Sequence, residues 1–370
     1  METSRNRVVA TGAIGKGFQG KMLIANPAWS VVFLGVLGEI RGVVFHQPSE
    51  SSPRESFAAA NHAPMTYEPR SMTSVAESTN LEDVFHVDIL PALPHSAISL
   101  LQLSQKEEAG PNDFARPIEA DPGLMGQVLR FVNSSYFGFS REIMSIPQAI
   151  TLVGSRAIVN FALWNAVFSV IPNPKFGPFD LKALWQDSLR RAIFARKMGR
   201  LLKLESSEDL FAGALLQDMA IPLLLKELPT EYEALVEKRA AEGKRLSGLE
   251  QEMFGWNHAD AAAILATRWK LPEEFVALIA QHTEIEQLLE MGSEARGAAC
   301  VALASLLPSC SEKEWHEQEK FTSACKRLSG MTGESLVECM TEVDELTAEF
   351  APLLKLPVPE QSIMSFLAEK

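Results

Sequence analysis

From residue 81 onward, apolar positions recur at intervals of three and four. Ile98–Leu103, then Leu124, Val128, Leu129 and Val132, then Ile146, Ala149, Ile150 and Val153 each mark one face of a helix. Leu181, Leu184, Trp185, Ser188, Ala192, Ala195, Gly199 and Leu202 form a longer stripe of the same period. Proline and glycine punctuate the pattern at Pro91, Pro94, Pro122 and Gly138, and again in the stretch PNPKFGP at 172–178. That last stretch has helical pattern on either side, which places a lobe boundary there. Val301, Leu303, Leu306 and Leu307, and Leu336, Val337, Met340, Val343 and Leu346, keep helical spacing until Pro357-Val358-Pro359 breaks it before a short final helix. No run alternates with period two for long enough to predict a sheet, and no internal repeat of about 20–50 residues is present. The prediction is all-α: a helical lobe over 81–175, a second lobe over 179–290, and added helices over 291–370 packed on the second lobe.

The first 80 residues read differently. Residues 47–80 are rich in Ser, Pro, Ala, Asn and Thr without apolar periodicity, the composition of a linker. The run Trp29–Ile40 is apolar but is interrupted by Glu39 and closed by Arg41, and is shorter than the ~20 residues of a membrane span. Arg5, Arg7, Lys16 and Lys21 precede it as in a signal peptide, yet no small-x-small cleavage site follows at once. Gly15-Lys16-Gly17-Phe18-Gln19-Gly20 spells G-x-G-x-x-G, with Glu39 nineteen residues after Gly20. A dinucleotide site also needs a helix opening at those glycines, which Pro27 interrupts, and further β-α-β alternation, which does not follow. Residues 1–80 are therefore expected to be a poorly ordered leader and linker, with Met65 and Met72 as alternative initiators.

Composition narrows the class of function. The 370 residues are 46% hydrophobic and 22% charged, the balance of a globular chain. The formal net charge is −13 and the pI near 5.1. Residues 1–80 hold six acids and seven bases, so the acidity belongs to the rest of the chain. Phosphate backbones would repel such a chain, so no nucleic-acid partner is expected. Cys300, Cys310, Cys325 and Cys339 have no C-x-x-C spacing, which argues against a thiolate zinc site and for ordinary reduced thiols.

Within 89–290 a series of segments falls in a familiar order. They are Ile89-Leu90-Pro91-Ala92-Leu93-Pro94, IEADPGL at 118–124, LRFVNSSYF at 129–137, and IPQAITLVG at 146–154. Trp185-Gln186-Asp187-Ser188, FAGALLQDMA at 211–220, Glu250–His258, Trp269-Lys270-Leu271-Pro272 and Ile279–His282 follow. Over about 200 residues this resembles the HDOD family, a helical relative of the HD phosphohydrolases found in bacterial signalling proteins. Read from the residues alone, most of these segments are structural. Asp121-Pro122 is a helix start, Asn133-Ser134 suits a helix end, Gly213 and Gly255 suit close helix approach, and Trp185 and Trp269 suit the core.

The resemblance implies a degenerate metal site. HD phosphohydrolases hold divalent ions with a His, a His-Asp pair and a further Asp, and the ions activate water and clamp phosphate oxygens. Here the pair reads Gln217-Asp218, the position before Ser188 is Asp187, His258 remains, and His282 is followed by Thr283 rather than a second His. Two readings of Asp187, Asp218, His258 and His282 stand side by side: a residual site for Mn, Fe or Mg, or a buried, self-satisfied polar network. Without the pair histidine, no bound metal, no cofactor and no hydrolysis are expected.

One helix carries Arg190, Arg191, Arg196, Lys197, Arg200 and Lys203, of which Arg196, Arg200 and Lys203 share a face by spacing. That face is either solvated or a dock for an acidic partner or an anionic nucleotide. Residues 291–370, with 13 acids and seven bases, show no chemistry. The function that the resemblance implies is a non-catalytic regulatory module in a bacterial cytoplasm, without stable membrane insertion. It would present a helical groove to a protein partner supplied in trans. The alternatives are a metal-dependent phosphohydrolase acting on a nucleotide and a nucleotide sensor without turnover.

Overall fold

The computed structural model describes residues 30–36, 39–46, 81–84 and 91–368, apart from 105, 107, 135, 136, 175, 176 and 178. The chain divides into two units, Met1–Ala63 and Pro64–Lys370. In the first, β1 (Ser30–Val36) pairs antiparallel with β2 (Glu39–His46), Ser30 opposite His46, with a register irregularity between Phe33 and Gly35. The sequence reading predicts no sheet here; the all-α class holds, since every other element among the described residues is a helix. β1 is a near-continuous apolar run, which carries no period that separates a strand from a short helix, and β2 is too short and mixed to show sustained alternation. The G-x-G-x-x-G segment, the linker 47–80 and the candidate start sites lie outside the described residues.

The second unit is helical throughout its described residues. Its first lobe comprises α1 (Leu81–Val84), α2 (His95–Ser104), α3 (Pro111–Glu119), α4 (Pro122–Val132), α5 (Ile146–Val153) and α6 (Ser155–Val170). Asp121 opens α4 as its residues dictate: Pro122 needs no N–H bond, and the Asp121 Oδ1 accepts from the Leu124 N–H at 3.1 Å. Asn133 closes α4 by donating to the Leu129 and Ile143 carbonyls at 2.9 and 2.8 Å and accepting from the Ile143 N–H at 2.7 Å. One side chain thereby ties the helix end to the segment leading into α5.

The second lobe comprises α7 (Leu181–Leu201), α8 (Ser207–Leu216), α9 (Ile221–Glu227), α10 (Pro229–Glu242), α11 (Leu246–Phe254), α12 (His258–Arg268), α13 (Glu273–Ala280) and α14 (Ile285–Met291). α15 (Arg296–Ala304), α16 (Gln318–Ser329), α17 (Gly333–Leu353) and α18 (Ile363–Ala368) complete the unit. The central helix is α7, with α8 along it and α15 and α17 against it. A single continuous hydrophobic cluster runs through both lobes and the C-terminal helices. The C-terminal helices do not pack on the second lobe alone, because α17 also reaches α4, where Phe350 meets Phe131 at 5.8 Å between ring centroids.

Gly213 makes the predicted close approach: a Cβ there would lie 2.9 Å from the Leu278 side chain, so α8 and α13 touch through it. Gly255 does not. It ends α11 in the left-handed region at φ 80 with open space around it, a conformation that a Cβ would strain. Trp185 is buried against Phe168, and the half-buried Trp269 donates from its indole to the Pro91 carbonyl at 2.9 Å. Arg190, 1% exposed, donates to the Gln361 and Pro308 carbonyls at 2.5 and 3.5 Å, while Gln186 donates to Pro357 at 2.6 Å. These bonds fasten the segment between α17 and α18 to α7. All four cysteines are free thiols. Among the described residues, no single helix is long and apolar enough to cross a membrane.

Candidate functional site

Four local structures bring the polar residues of the second lobe together. Asp218 sits in the turn between α8 and α9. His258 is the first residue of α12, fixed there by a reciprocal cap: Asn257 accepts from the Ala259 N–H at 2.8 Å, and Asp260 accepts from the Asn257 N–H at 2.9 Å. His282 follows the end of α13. Asp187 and Arg191 lie one turn apart on α7.

Asp218, His258 and His282 are all buried, and one donor atom from each lies within 4.8 Å of the others. The two Nε2 atoms are 3.1 Å apart, and each is 3.5 Å from the Asp218 Oδ1. The opposite nitrogens are already committed. His258 Nδ1 faces the Glu250 Oε2 at 2.6 Å, and the same oxygen accepts from the His258 backbone N–H at 2.8 Å. His282 Nδ1 faces the Ile279 carbonyl at 2.6 Å, and a carbonyl can only accept, so this nitrogen carries a proton. Glu250 is in turn held by the Tyr232 hydroxyl, which donates to Oε1 at 2.6 Å. With both Nδ1 atoms donating, the two Nε2 lone pairs point at each other. That arrangement needs one proton or one cation between them.

Electrostatics follow the geometry. Burial works against the His258 imidazolium, but the Glu250 carboxylate outweighs it, with Asp218 adding to the effect, and the pKa is pushed up to about 9. Burial pushes His282 down. Burial also opposes the Asp218 carboxylate, yet the Arg191 guanidinium and the two histidines hold its pKa well below the usual range. Glu250 is lowered against its burial by His258. Burial beside Glu250 drives the Tyr232 phenol well above its ordinary value.

Arg191 donates to the Asp218 Oδ2, and the Gln217 amide donates to the same oxygen at 3.2 Å. Asp187 is not part of the cluster. Its carboxylate accepts from the Ser309 hydroxyl and from the Cys310 N–H, the latter at 2.7 Å. The segment after α15 thus holds Asp187 on α7 and keeps it away from the cluster. Ser305 bonds the His282 carbonyl at 2.9 Å, and Glu312 accepts from Arg239. The expected basic face is not an open one. Arg196 is buried over the Phe211 ring at 4.7 Å, Arg196 and Arg200 both converge on Glu208, and Lys203 lies beyond the end of α7.

Sequence reasoning missed Arg191, Tyr232 and Glu250 as members of the site. Glu250 stood in the same motif as His258, and Arg191 four residues after Asp187, but neither spacing reveals which carboxylate or ring the side chain meets.

The donor set decides what an HD-type metal would find. Two imidazole nitrogens and one carboxylate oxygen suit one divalent transition ion. They do not suit a two-ion hydrolytic centre. Gln217 replaces the pair histidine, Asp187 is spent on Ser309 and Cys310, and Arg191 holds the second oxygen of Asp218.

Known proteins share the fold that carries this arrangement. An uncharacterised protein of Treponema pallidum (strain Nichols) is 24% identical over 217 residues, covering 58% of this chain and 42% of that protein. The chain thus spans less than half the length of that curated relative. A candidate phosphohydrolase of Shewanella amazonensis SB2B, solved by crystallography, matches with TM-score 0.54 at 22% identity over 75% of this chain and 96% of that one. An HDOD domain protein of unknown function from Geobacter sulfurreducens matches with TM-score 0.55 at 20% identity over 73% and 94%. Both share the helical fold. The family model for the HDOD domain matches residues 90–285, more than half of the chain, and takes in α2 to α13 together with Asp218, His258 and His282. This chain belongs to the HDOD domain family.

Proposed function

We propose that this chain is a regulatory HDOD module that acts by binding rather than by hydrolysis, with a signalling protein in the cytoplasm as its partner. The observation that carries the reading is the ion pair of Arg191 with Asp218. A hydrolytic centre of this type needs that carboxylate for its ions and an open position for the attacked phosphate. Arg191 satisfies the carboxylate from within the protein, and Asp187 is bonded elsewhere.

The convergence of Asp218, His258 and His282 is the observation that favours the second reading, a metal-dependent phosphohydrolase acting on a nucleotide. It is the weaker one because three donors are left where two ions would need more. The nucleotide-sensor reading loses its basic face to Glu208. The test is incubation of the full chain with nucleoside phosphates and cyclic mono- and dinucleotides, with Mn2+, Fe2+ and Mg2+ in turn. No product above the protein-free blank is expected. Metal-dependent turnover that disappears in Asp218→Ala would overturn the proposal.

A further inference from the structure

We propose that residues 357–368 are a detachable strap, and that the seat they occupy on α7, α16 and α17 docks a helical segment of a partner protein in their place. This surface deepens the binding reading above and rests on it. Turnover tests that reading and peptide binding tests the seat, so either can fail alone.

Four side chains of the body hold the strap by its backbone. Gln186 donates to the Pro357 carbonyl at 2.6 Å, Arg190 to the Gln361 carbonyl at 2.5 Å and Gln318 to the Phe366 carbonyl at 3.4 Å. Asp344 accepts from the Ile363 and Met364 N–H groups at 3.0 and 3.1 Å. Main-chain bonds accept any sequence, so specificity falls to the apolar side chains. These are the buried Ile363 and, three residues on, the buried Phe366, whose ring stands edge-on to Trp315 at 6.5 Å between centroids.

The strap can leave without unwinding α17, because that helix closes its own end. The Leu356 N–H donates to the Ala351 carbonyl at 2.9 Å and the Lys355 N–H to the Pro352 carbonyl at 3.0 Å, with Lys355 left-handed at φ 58. Beyond this closure Pro357 and Pro359 carry no N–H, and Pro357, Val358 and Glu360 are exposed.

The seat also needs an occupant. Arg190 is buried, and its Nε has no hydrogen-bond partner, with the Asp344 carboxylate 4.0 Å away. When the strap lifts, the guanidinium loses the Gln361 carbonyl and needs another acceptor. The segment that fits offers a carbonyl two residues before the first of two apolar positions three apart.

The test titrates a labelled peptide of residues 357–368 into the full chain, followed by fluorescence anisotropy. A tethered strap sits at an effective concentration of the order of millimolar, so the peptide meets an occupied seat in the unmodified chain. Phe366→Ala in the chain loosens its own strap and should tighten peptide binding at least tenfold. The peptide carrying Phe366→Ala should bind neither chain. No binding by a folded Phe366→Ala chain, or equal affinity of the two chains, overturns the proposal. In the unmodified chain the Ile363 and Met364 amides should exchange with deuterium at least tenfold faster than those of Met340 and Val343 inside α17. Equal rates overturn the proposal whether or not the variant folds. A dimer that the peptide splits into monomers gives the seat to the strap of a second copy and overturns the assignment to a partner protein.

Discussion

The Arg191 guanidinium donates to the Oδ2 of Asp218, joining α7 to the turn that links α8 and α9. Both groups are largely withdrawn from water, with side chains 13% and 5% exposed. Removing one partner leaves the other as an uncompensated buried charge. Arg191→Met is expected to destabilise the fold by about 3–5 kcal/mol. Arg191→Lys should recover part of that loss, and urea unfolding of the three proteins compares them.

Tyr232 to Glu250 to His258 is a chain of buried hydrogen bonds. Tyr232→Phe keeps the ring packing and removes only the donor to Oε1. The bare carboxylate oxygen should cost about 1–3 kcal/mol, read as a lower midpoint in urea with an unchanged slope.

The pH dependence of the metal-free protein has a defined sign. The His258 pKa rises from 6.5 to about 9 on folding. Its stabilising contribution is complete below pH 6.5 and is lost as pH climbs through 9. Its size is up to about 3 kcal/mol. Melting temperatures measured across pH 6 to 10 should fall over this window in the unmodified chain. The fall should be shallower in His258→Gln, and an identical profile in the two proteins would refute the assignment.

Two glycines test packing against propensity. A Cβ at Gly213 would meet the Leu278 side chain at 2.9 Å, so Gly213→Ala should cost about 1–3 kcal/mol by pushing α8 from α13. Gly248 lies inside α11 with nothing within 4 Å of its would-be Cβ. Gly248→Ala should therefore stabilise by about 0.5–1 kcal/mol, the helix preference of alanine over glycine. Chemical denaturation of both variants separates the two effects.

Surface position gives the complementary case. Met144 and Leu152 are exposed, so Met144→Glu and Leu152→Glu should change stability by no more than about 0.5 kcal/mol. A large loss on thermal unfolding would place these side chains in the fold rather than on a free surface.

The sequence by itself determined the helical class, the break between α6 and α7, the family and the identity of the remaining donors. These are properties of local spacing: a three-to-four period, a proline after an aspartate, a motif in collinear order. The Asp121 cap and the Asn133 clamp were legible for that reason, each being made within about ten residues of chain. The strand pair at 30–46 was not, because the apolar run of β1 has no period to read and β2 is too short to show one. The site itself was decided by tertiary structure. Asp187, Asp218, His258 and His282 look alike in sequence as surviving positions, but which of them converge depends on where α7, α8, α12 and α13 meet. Packing sends Asp187 to Ser309 and Cys310, brings His282 to His258, and turns Arg191 from one base in a row of six into the partner of Asp218. Charge pairing across that distance is set by the packing of the core, which no spacing along the chain encodes.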